Sequence, residues 1–400
     1  MFVMNKININ NSNIVIILAV LILVFLYVAG IKREHRIMEN LITDFYPDLE
    51  GNIPLQSDPV IYEFEKPDSK DTNYRVFASG FGWGGPFTIM TEVDKNALII
   101  DVKVIQHCET PSYINRLENH KFFKQFVNME TTSAFKLNED IDVVSGATIS
   151  SVGFSDAMRS GSHIISSNIF GKANKTYYKS FSIGVKEISI LLLFVVVLIA
   201  SLFKLKKLRL FTLFAGMLII GFIYNVPVSI SQFSSIFLGY IPSPLINITW
   251  WLIIGGALLL IIFSGKNLYC SWMCPFGAVQ EFISKFSGFK LPMNSKVQKY
   301  GSKILYGFTF LVVCLMLYFR NTSSGNYEPF AALFKFDGYG LIWFILPIIM
   351  FSSFFWKRFY CRFFCPAGAA LTIVAKLRNK TVFKVKCMYK NIKNEKREIK

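Results

Sequence analysis

Apolar residues run almost unbroken from Ile14 to Ile31, and five further apolar runs follow at about 188–203, 210–224, 246–264, 304–319 and 341–356. Each approaches the roughly 20 residues that a helix needs to cross about 30 Å of hydrocarbon. The pattern predicts an α-helical polytopic membrane protein with about six transmembrane helices. Residues 35–183 read differently. Strand-like stretches (Phe87 to Val93, Ala97 to Ile105) alternate with helical stretches near 117–127 and 152–167, and a glycine-rich turn runs from Gly80 to Pro86. That mixture predicts one α+β domain inserted between the first and second spans. The stretch 225–249 carries no charge but holds Pro227, Pro242 and Pro244, which suits a short loop or a re-entrant segment.

Composition strengthens this picture. A chain of 400 residues that is 52% apolar, with 40 Phe and a mean hydropathy of +0.41, is too apolar for an ordinary soluble protein. The formal charge of +17 is concentrated in Lys- and Arg-rich segments at 204–209, 265–303 and 357–400. Basic loops of this kind lie on the cytoplasmic side beside anionic lipid, so lipid is the expected partner and nucleic acid is not. Placing those loops inside puts the 35–183 domain outside a cell (inner or cytoplasmic) membrane, with both termini in the cytoplasm. Lys32, Arg33 and Arg36 oppose this orientation, but large domains cross membranes with little regard to flanking charge. The first run shows no obvious small-residue cleavage site and reads as an uncleaved anchor. The predicted organisation is an anchor at 1–34, the extracytoplasmic domain at 35–183, a five-helix membrane domain at 184–375, and a basic cytoplasmic tail at 376–400.

The membrane domain repeats itself. The segment from Lys266 through Tyr269, Cys270, Cys274 and Pro275 to Ala278 recurs from Lys357 through Tyr360, Cys361, Cys365 and Pro366 to Ala369. Two related hairpins with equivalent cysteine ends are expected. Each copy reads Cys-x3-Cys-Pro, the spacing and trailing proline of the last step in a bacterial ferredoxin ligand run. One pair cannot complete a four-thiolate site, but two pairs can. Cys270, Cys274, Cys361 and Cys365 are therefore expected to meet at the cytoplasmic surface and hold one iron–sulfur cluster, with 4Fe-4S the leading type. Structural zinc and inert thiols are the alternatives. Cys314 and Cys387 read as bystanders. The four histidines are His35, His107, His120 and His163, so no pair of them can ligate a haem among the later spans.

In the polar domain, Asp142-Val-Val-Ser145-Gly146-Ala147-Thr148 precedes a helix-like run. On its own this is an ordinary helix start. It also resembles the Asp-x-x-Ser/Thr-Gly-Ala-Thr signature at which a flavin transferase joins FMN through a phosphoester to the last threonine. The resemblance implies a covalent FMN on Thr148, with Asp142, Ser145, Gly146 and Ala147 as the transferase's recognition sequence. A helix N-terminus would favour the phosphate's charge. The Gly80 to Pro86 turn (Gly84 and Gly85) and His107-Cys108-Glu109-Thr110-Pro111 resemble further parts of such FMN-binding domains. They make Gly84, Gly85, Glu109 and Thr110 candidate cofactor contacts, although a structural role fits His107 and Glu109 equally. Trp83 and Phe87 could stack on the ring or fill the core. Nearly the whole chain resembles the NosR-type membrane flavoproteins, a group that includes proteins associated with reductive dehalogenases. The layout is closer to the dehalogenase-associated type, because NosR continues into ferredoxin modules.

The resemblance implies electron transfer between a quinol pool or cytoplasmic donor, the cysteine centre, the outer FMN and an extracytoplasmic reductase. Menaquinone is a further candidate cofactor, because centres on opposite faces would be separated by the roughly 30 Å core. Either a cofactor within the bundle or a flavin domain close to the membrane would shorten that gap, and 225–249 is the candidate contact. The alternative is a membrane-bound redox-sensing regulator or maturation factor. A transporter is disfavoured by the near absence of charge within the spans.

Overall fold

A computed structural model describes residues 11–46, 54–57, 59–65, 72–82, 85–109, 111–175, 183–244, 247–288, 291, 294–323, 327–336 and 340–398. The first helix, α1 (Asn11–Phe45), continues well past its apolar stretch. An antiparallel sheet follows, with strands β1 (Gln56–Ser57), β2 (Val60–Glu65), β3 (Thr72–Phe81), β4 (Pro86–Val93) and β5 (Ile99–His107) in sequential order. The expected strands therefore form, displaced by one or two residues. The helical stretch expected at 117–127 divides into α2 (Pro111–Asn119) and a short 3-10 turn (Phe122–Phe126), broken where Lys121 adopts φ +54°.

Helix α3 (Thr148–Asn168) lies across the sheet. It approaches very closely at Gly153, where a Cβ would lie 2.3 Å from the Phe81 carbonyl oxygen. Phe87 and Phe154 stack there with ring centroids 3.8 Å apart, in a core that also buries Phe122, Phe126 and Phe135. Phe87 thus fills the domain core.

The remaining chain is helical. Among the described residues, three helical stretches are long and apolar enough to cross a membrane: Ile14–Glu34 of α1, Val185–Leu202 (α4), and Lys296–Phe319 within α9. Leu208–Ile223, Ile248–Ser264 and Ile342–Phe355 are shorter apolar helices. The first of these begins as α5 (Leu208–Gly216) and widens into a π-helical turn (Met217–Ile223). It leads through α6 (Ile230–Leu238) to α7 (Ile248–Ser264), a second π turn (Tyr269–Met273), and α8 (Pro275–Phe286). The chain then repeats the scheme with α9 (Ser295–Phe319), α10 (Phe330–Lys335), α11 (Ile342–Phe355), α12 (Phe359–Phe363) and α13 (Pro366–Glu398). Each half is an apolar helix, a short helix, a second apolar helix, a cysteine turn, and a helix begun by proline, whose fixed φ suits that position.

Large apolar side chains cover the outer surfaces, including Phe25 at 71% exposure and Phe344 at 72%. Such surfaces suit hydrocarbon, not water. The sheet domain meets the bundle at the end of α9. Ser323 donates to the Cys108 carbonyl (2.7 Å), Asn321 donates to that of His107 (3.4 Å), and Arg320 pairs with Glu34 of α1. This end of the bundle also carries the loops before α6 and α10.

Candidate redox sites

Thr148 is the first residue of α3, and its side chain is exposed. The N-cap is Ala147, which has no side-chain oxygen, so the helix begins without a side-chain cap. Its first-turn N–H groups and the helix dipole are therefore suited to an external anion. Gly146 sits at φ +83°, and a Cβ there would lie 2.2 Å from Nη1 of Arg116. Only glycine lets the turn bend this way beside that guanidinium, which also donates to the Ser145 carbonyl (3.4 Å). Asp142 is positioned by Gln125, whose Oε1 accepts from the Asp142 N–H (2.7 Å).

Ser145 to Thr148 line a cavity of about 370 Å³, a size that suits a cofactor. Among the described residues its lining includes Arg116, Lys186 and Lys335 but no carboxylate. Ile223 to Val226 line the same cavity, so the start of the uncharged 225–249 segment, the expected contact, shares a cavity with the Thr148 turn. A phosphoester on Thr148 fits this setting: an exposed hydroxyl, an uncapped helix start and three cations.

The other predicted contacts separate from this group. Asp142 and Ser145 line an adjoining cavity with His120 and Lys124. Gly85 and Glu109 lie away from both cavities. A Cβ on Gly85 would meet Cys108 at 3.1 Å and Thr322 at 3.3 Å, and Glu109 is buried behind Gly82. Gly85 thus lies at the seam between domain and bundle. Gly84, Thr110 and Trp83 lie outside the described residues.

The four repeat cysteines come together across the two halves of the bundle, with Cys270 and Cys361 only half-buried. Cys274 and Cys365 are buried, and Cys270 packs against the same apolar cluster. A Cβ placed on Gly368 would lie 3.4 Å from Sγ of Cys365 and 3.9 Å from Sγ of Cys270, so sulfurs from both halves flank one point. Among the described residues, no three His, Cys, Asp or Glu side chains converge on a single-ion site. A zinc ion would need its sulfurs at about 2.3 Å, whereas a multi-iron cage spreads its thiolates further apart. Four thiols supplied by two Cys-x3-Cys-Pro turns are a donor set that fits an iron–sulfur cluster.

Each half helps build the other's cysteine turn. Gln280 donates to Sγ of Cys361 (3.3 Å), while Arg358 donates to the carbonyls of Cys270 (2.7 Å) and Ser271 (3.4 Å). Glu281 ties these parts together by pairing with Arg209 (2.7 Å), Lys357 (2.8 Å) and Arg358 (2.8 Å). Burial alone would raise its carboxyl pKa, but hydrogen bonds from Arg209 and Lys357 and the Arg358 charge hold it down at about 2.

The loops from the sheet-domain end reach these turns. The Val228 N–H donates to the hydroxyl of Tyr269 (2.9 Å), the residue before Cys270. The Tyr327 hydroxyl donates to the carbonyl of Phe364, the residue before Cys365. The buried Glu328 accepts from the Ile230 N–H (3.1 Å), which caps α6 from the opposite half. Burial pushes this carboxyl up to about 8 despite that bond. Glu281, Arg358, Gln280, Asn225 and Glu328 were not singled out by sequence reasoning. Tyr269 and Tyr360 were visible as matched positions in the repeat, without their roles.

Comparison with known proteins agrees with both sites. Residues 82–162 match the FMN-binding domain family, and residues 247–294 and 336–384 match the 4Fe-4S binding domain family, segments that contain all four cysteines. "Regulatory protein NosR" of Stutzerimonas stutzeri is 28% identical over 229 residues, 51% of this chain and 31% of that protein. The protein of the same name in Pseudomonas aeruginosa is 24% identical over 220 residues, 50% of this chain and 31% of its own length. "Protein NirI" of Paracoccus denitrificans is 27% identical over 158 residues, 35% of this chain and 21% of its own length. The matches thus span less than a third of these relatives. FMN-binding and 4Fe-4S domains joined to apolar helices, with NosR and NirI among the similar proteins, support a NosR-type membrane FMN-binding protein.

Proposed function

We propose that this protein carries electrons across a cell membrane, linking a quinol or cytoplasmic donor to an extracytoplasmic reductase. The route uses an iron–sulfur centre on Cys270, Cys274, Cys361 and Cys365 and an FMN joined covalently to Thr148 by a flavin transferase. The α+β domain stands on the outer face, and both termini are cytoplasmic. When bound, the flavin exchanges one or two electrons and the cluster exchanges one. The chain's own residues position these groups and keep water from them.

The observation that carries this reading is the course of residues 223–228. Ile223 to Val226 line the cavity beside Thr148, and two residues later the Val228 N–H binds Tyr269, next to Cys270. One short segment, buried from Val226 to Val228, therefore runs from the cavity beside Thr148 to the turn that carries Cys270, which supports communication between the two sites.

The competing reading is a redox-sensing regulator or maturation factor, favoured by the word "Regulatory" in the name of the NosR relatives. A sensor holds its cofactors without sustained turnover. We expect a menaquinol analogue to reduce the flavin of the purified protein in proteoliposomes, repeatedly when an acceptor is supplied, and the Cys270→Ser variant to lose this. Flavin reduction that proceeds equally fast in that variant would contradict the proposed route.

A further inference from the structure

We infer that the bundle completes the flavin site: Lys186 and Lys335 join Arg116 around the phosphoester, and Asn225 supplies a hydrogen-bonding partner for the flavin's polar ring edge. This inference rests on the reading of Thr148 as the attachment point and assigns what the rest of the chain does there.

Three observations support it. First, the cavity beside Thr148 is split between two parts of the chain. Ser145 to Thr148 and Arg116 come from the sheet domain, whereas Lys186 begins α4, Asn225 follows the π turn, and Lys335 ends α10. Second, its charge is one-sided. Among the described residues three cations and no carboxylate line it, the balance a phosphate ester needs when water is partly excluded. Lys335 is held nearby through the Ile223 carbonyl (3.3 Å). Third, Asn225 turns the chain just after the π turn and leaves one polar atom unpartnered. It adopts φ +48°, and its amide oxygen is buried with no hydrogen-bond partner among the described residues. An orphaned buried polar atom is costly, and such atoms collect where a ligand or water is received. A flavin ring presents an imide N–H flanked by carbonyls, which an asparagine amide can meet as acceptor and donor.

The test uses the full chain co-expressed with a flavin transferase, as wild type, Asn225→Ala, Lys335→Met and Lys186→Met/Lys335→Met, with Lys335→Arg as the conservative control. Flavin fluorescence of the denatured band reports attachment. Absorbance, fluorescence anisotropy and reduction potential of the native protein report how the flavin is held. The expected result is a fluorescent band in every protein. In the native state, Asn225→Ala should shift the flavin absorbance and lower its anisotropy. The lysine variants should make the flavin harder to reduce, because positive charge that favours the reduced form has gone, and Lys335→Arg should restore wild-type behaviour. Bands that fluoresce equally, with unchanged spectra, anisotropy and potential throughout, would overturn the inference and leave Thr148 standing. A dark wild-type band, with the transferase active on a control protein, would overturn the inference together with the attachment it rests on.

Discussion

A Cys361→Ser chain is expected to be purified with its flavin intact and with most of its iron and acid-labile sulfide lost. Cys361 is one of four thiols that the two halves of the bundle bring into a shared core, and serine's hydroxyl is a far poorer ligand for iron than a thiolate. Neighbouring groups cannot substitute for it. Its hydrogen-bond partner Gln280 lies within reach of Sγ at 3.3 Å, but its nearest atom there is an amide nitrogen that offers no lone pair to a metal. The flavin should be unaffected, because Thr148 belongs to the sheet domain, whose core of Phe87, Phe122 and Phe154 packs separately from the cysteine turns. Iron, sulfide and flavin assays on the same preparation separate these outcomes. Full iron content in the variant would remove Cys361 from the ligand set, and equal loss of flavin would point to a general folding defect.

The second large effect concerns Glu281. Glu281→Gln is expected to destabilise the protein by about 3–5 kcal/mol, the usual consequence of removing one partner from a buried ion pair. In this variant Arg209, Lys357 and Arg358 face one another without a counter-charge, at a side chain that is only 5% exposed in the native protein. The pKa gives a consistent magnitude: the drop from the ordinary 4.5 to about 2 corresponds to about 3 kcal/mol of stabilisation at neutral pH. Because the native pKa is depressed, this contribution is fully present above about 4.5 and is lost as pH falls through about 2. The thermal midpoint in detergent should fall in Glu281→Gln at neutral pH, and the gap between the two proteins should close in strong acid. Equal midpoints at neutral pH would mean that the lock contributes nothing. Iron should become easier to strip as well, since Arg358 of the same lock holds the Cys270 and Ser271 carbonyls.

Much of this architecture was legible in the sequence because it rests on periodicity and repetition. Apolar runs marked the helices, alternation marked β4 and β5, and the duplicated Cys-x3-Cys-Pro element marked two equivalent turns. The signature ending at Thr148 marked the start of α3 within the segment that matches the FMN-binding domain family. What escaped depends on contacts between distant residues. Glu281 and Arg209 are separated by 72 positions, and a lone glutamate among basic loop residues looks like an ordinary solvated charge. Glu328 gives no hint in the sequence that it caps α6 in the other half. The cysteines were expected at a surface because their flanks are basic. The rings of Tyr269 and Tyr360 are almost wholly buried and Cys274 and Cys365 are buried with them, while Cys270 and Cys361 stay half-buried. Gly85 and Glu109 sit in family-like segments, yet neither lines the cavity at Thr148: Gly85 lies at the seam beside Thr322, and Glu109 packs against Gly82.

Covalent flavin on Thr148 is tested most directly by in-gel flavin fluorescence after denaturing electrophoresis, comparing wild type with Thr148→Ala, each co-expressed with a flavin transferase. A fluorescent wild-type band and a dark band for the variant are predicted at equal protein. A wild-type band that stays dark while the transferase labels a control protein, or a variant that fluoresces as strongly as wild type, would contradict it.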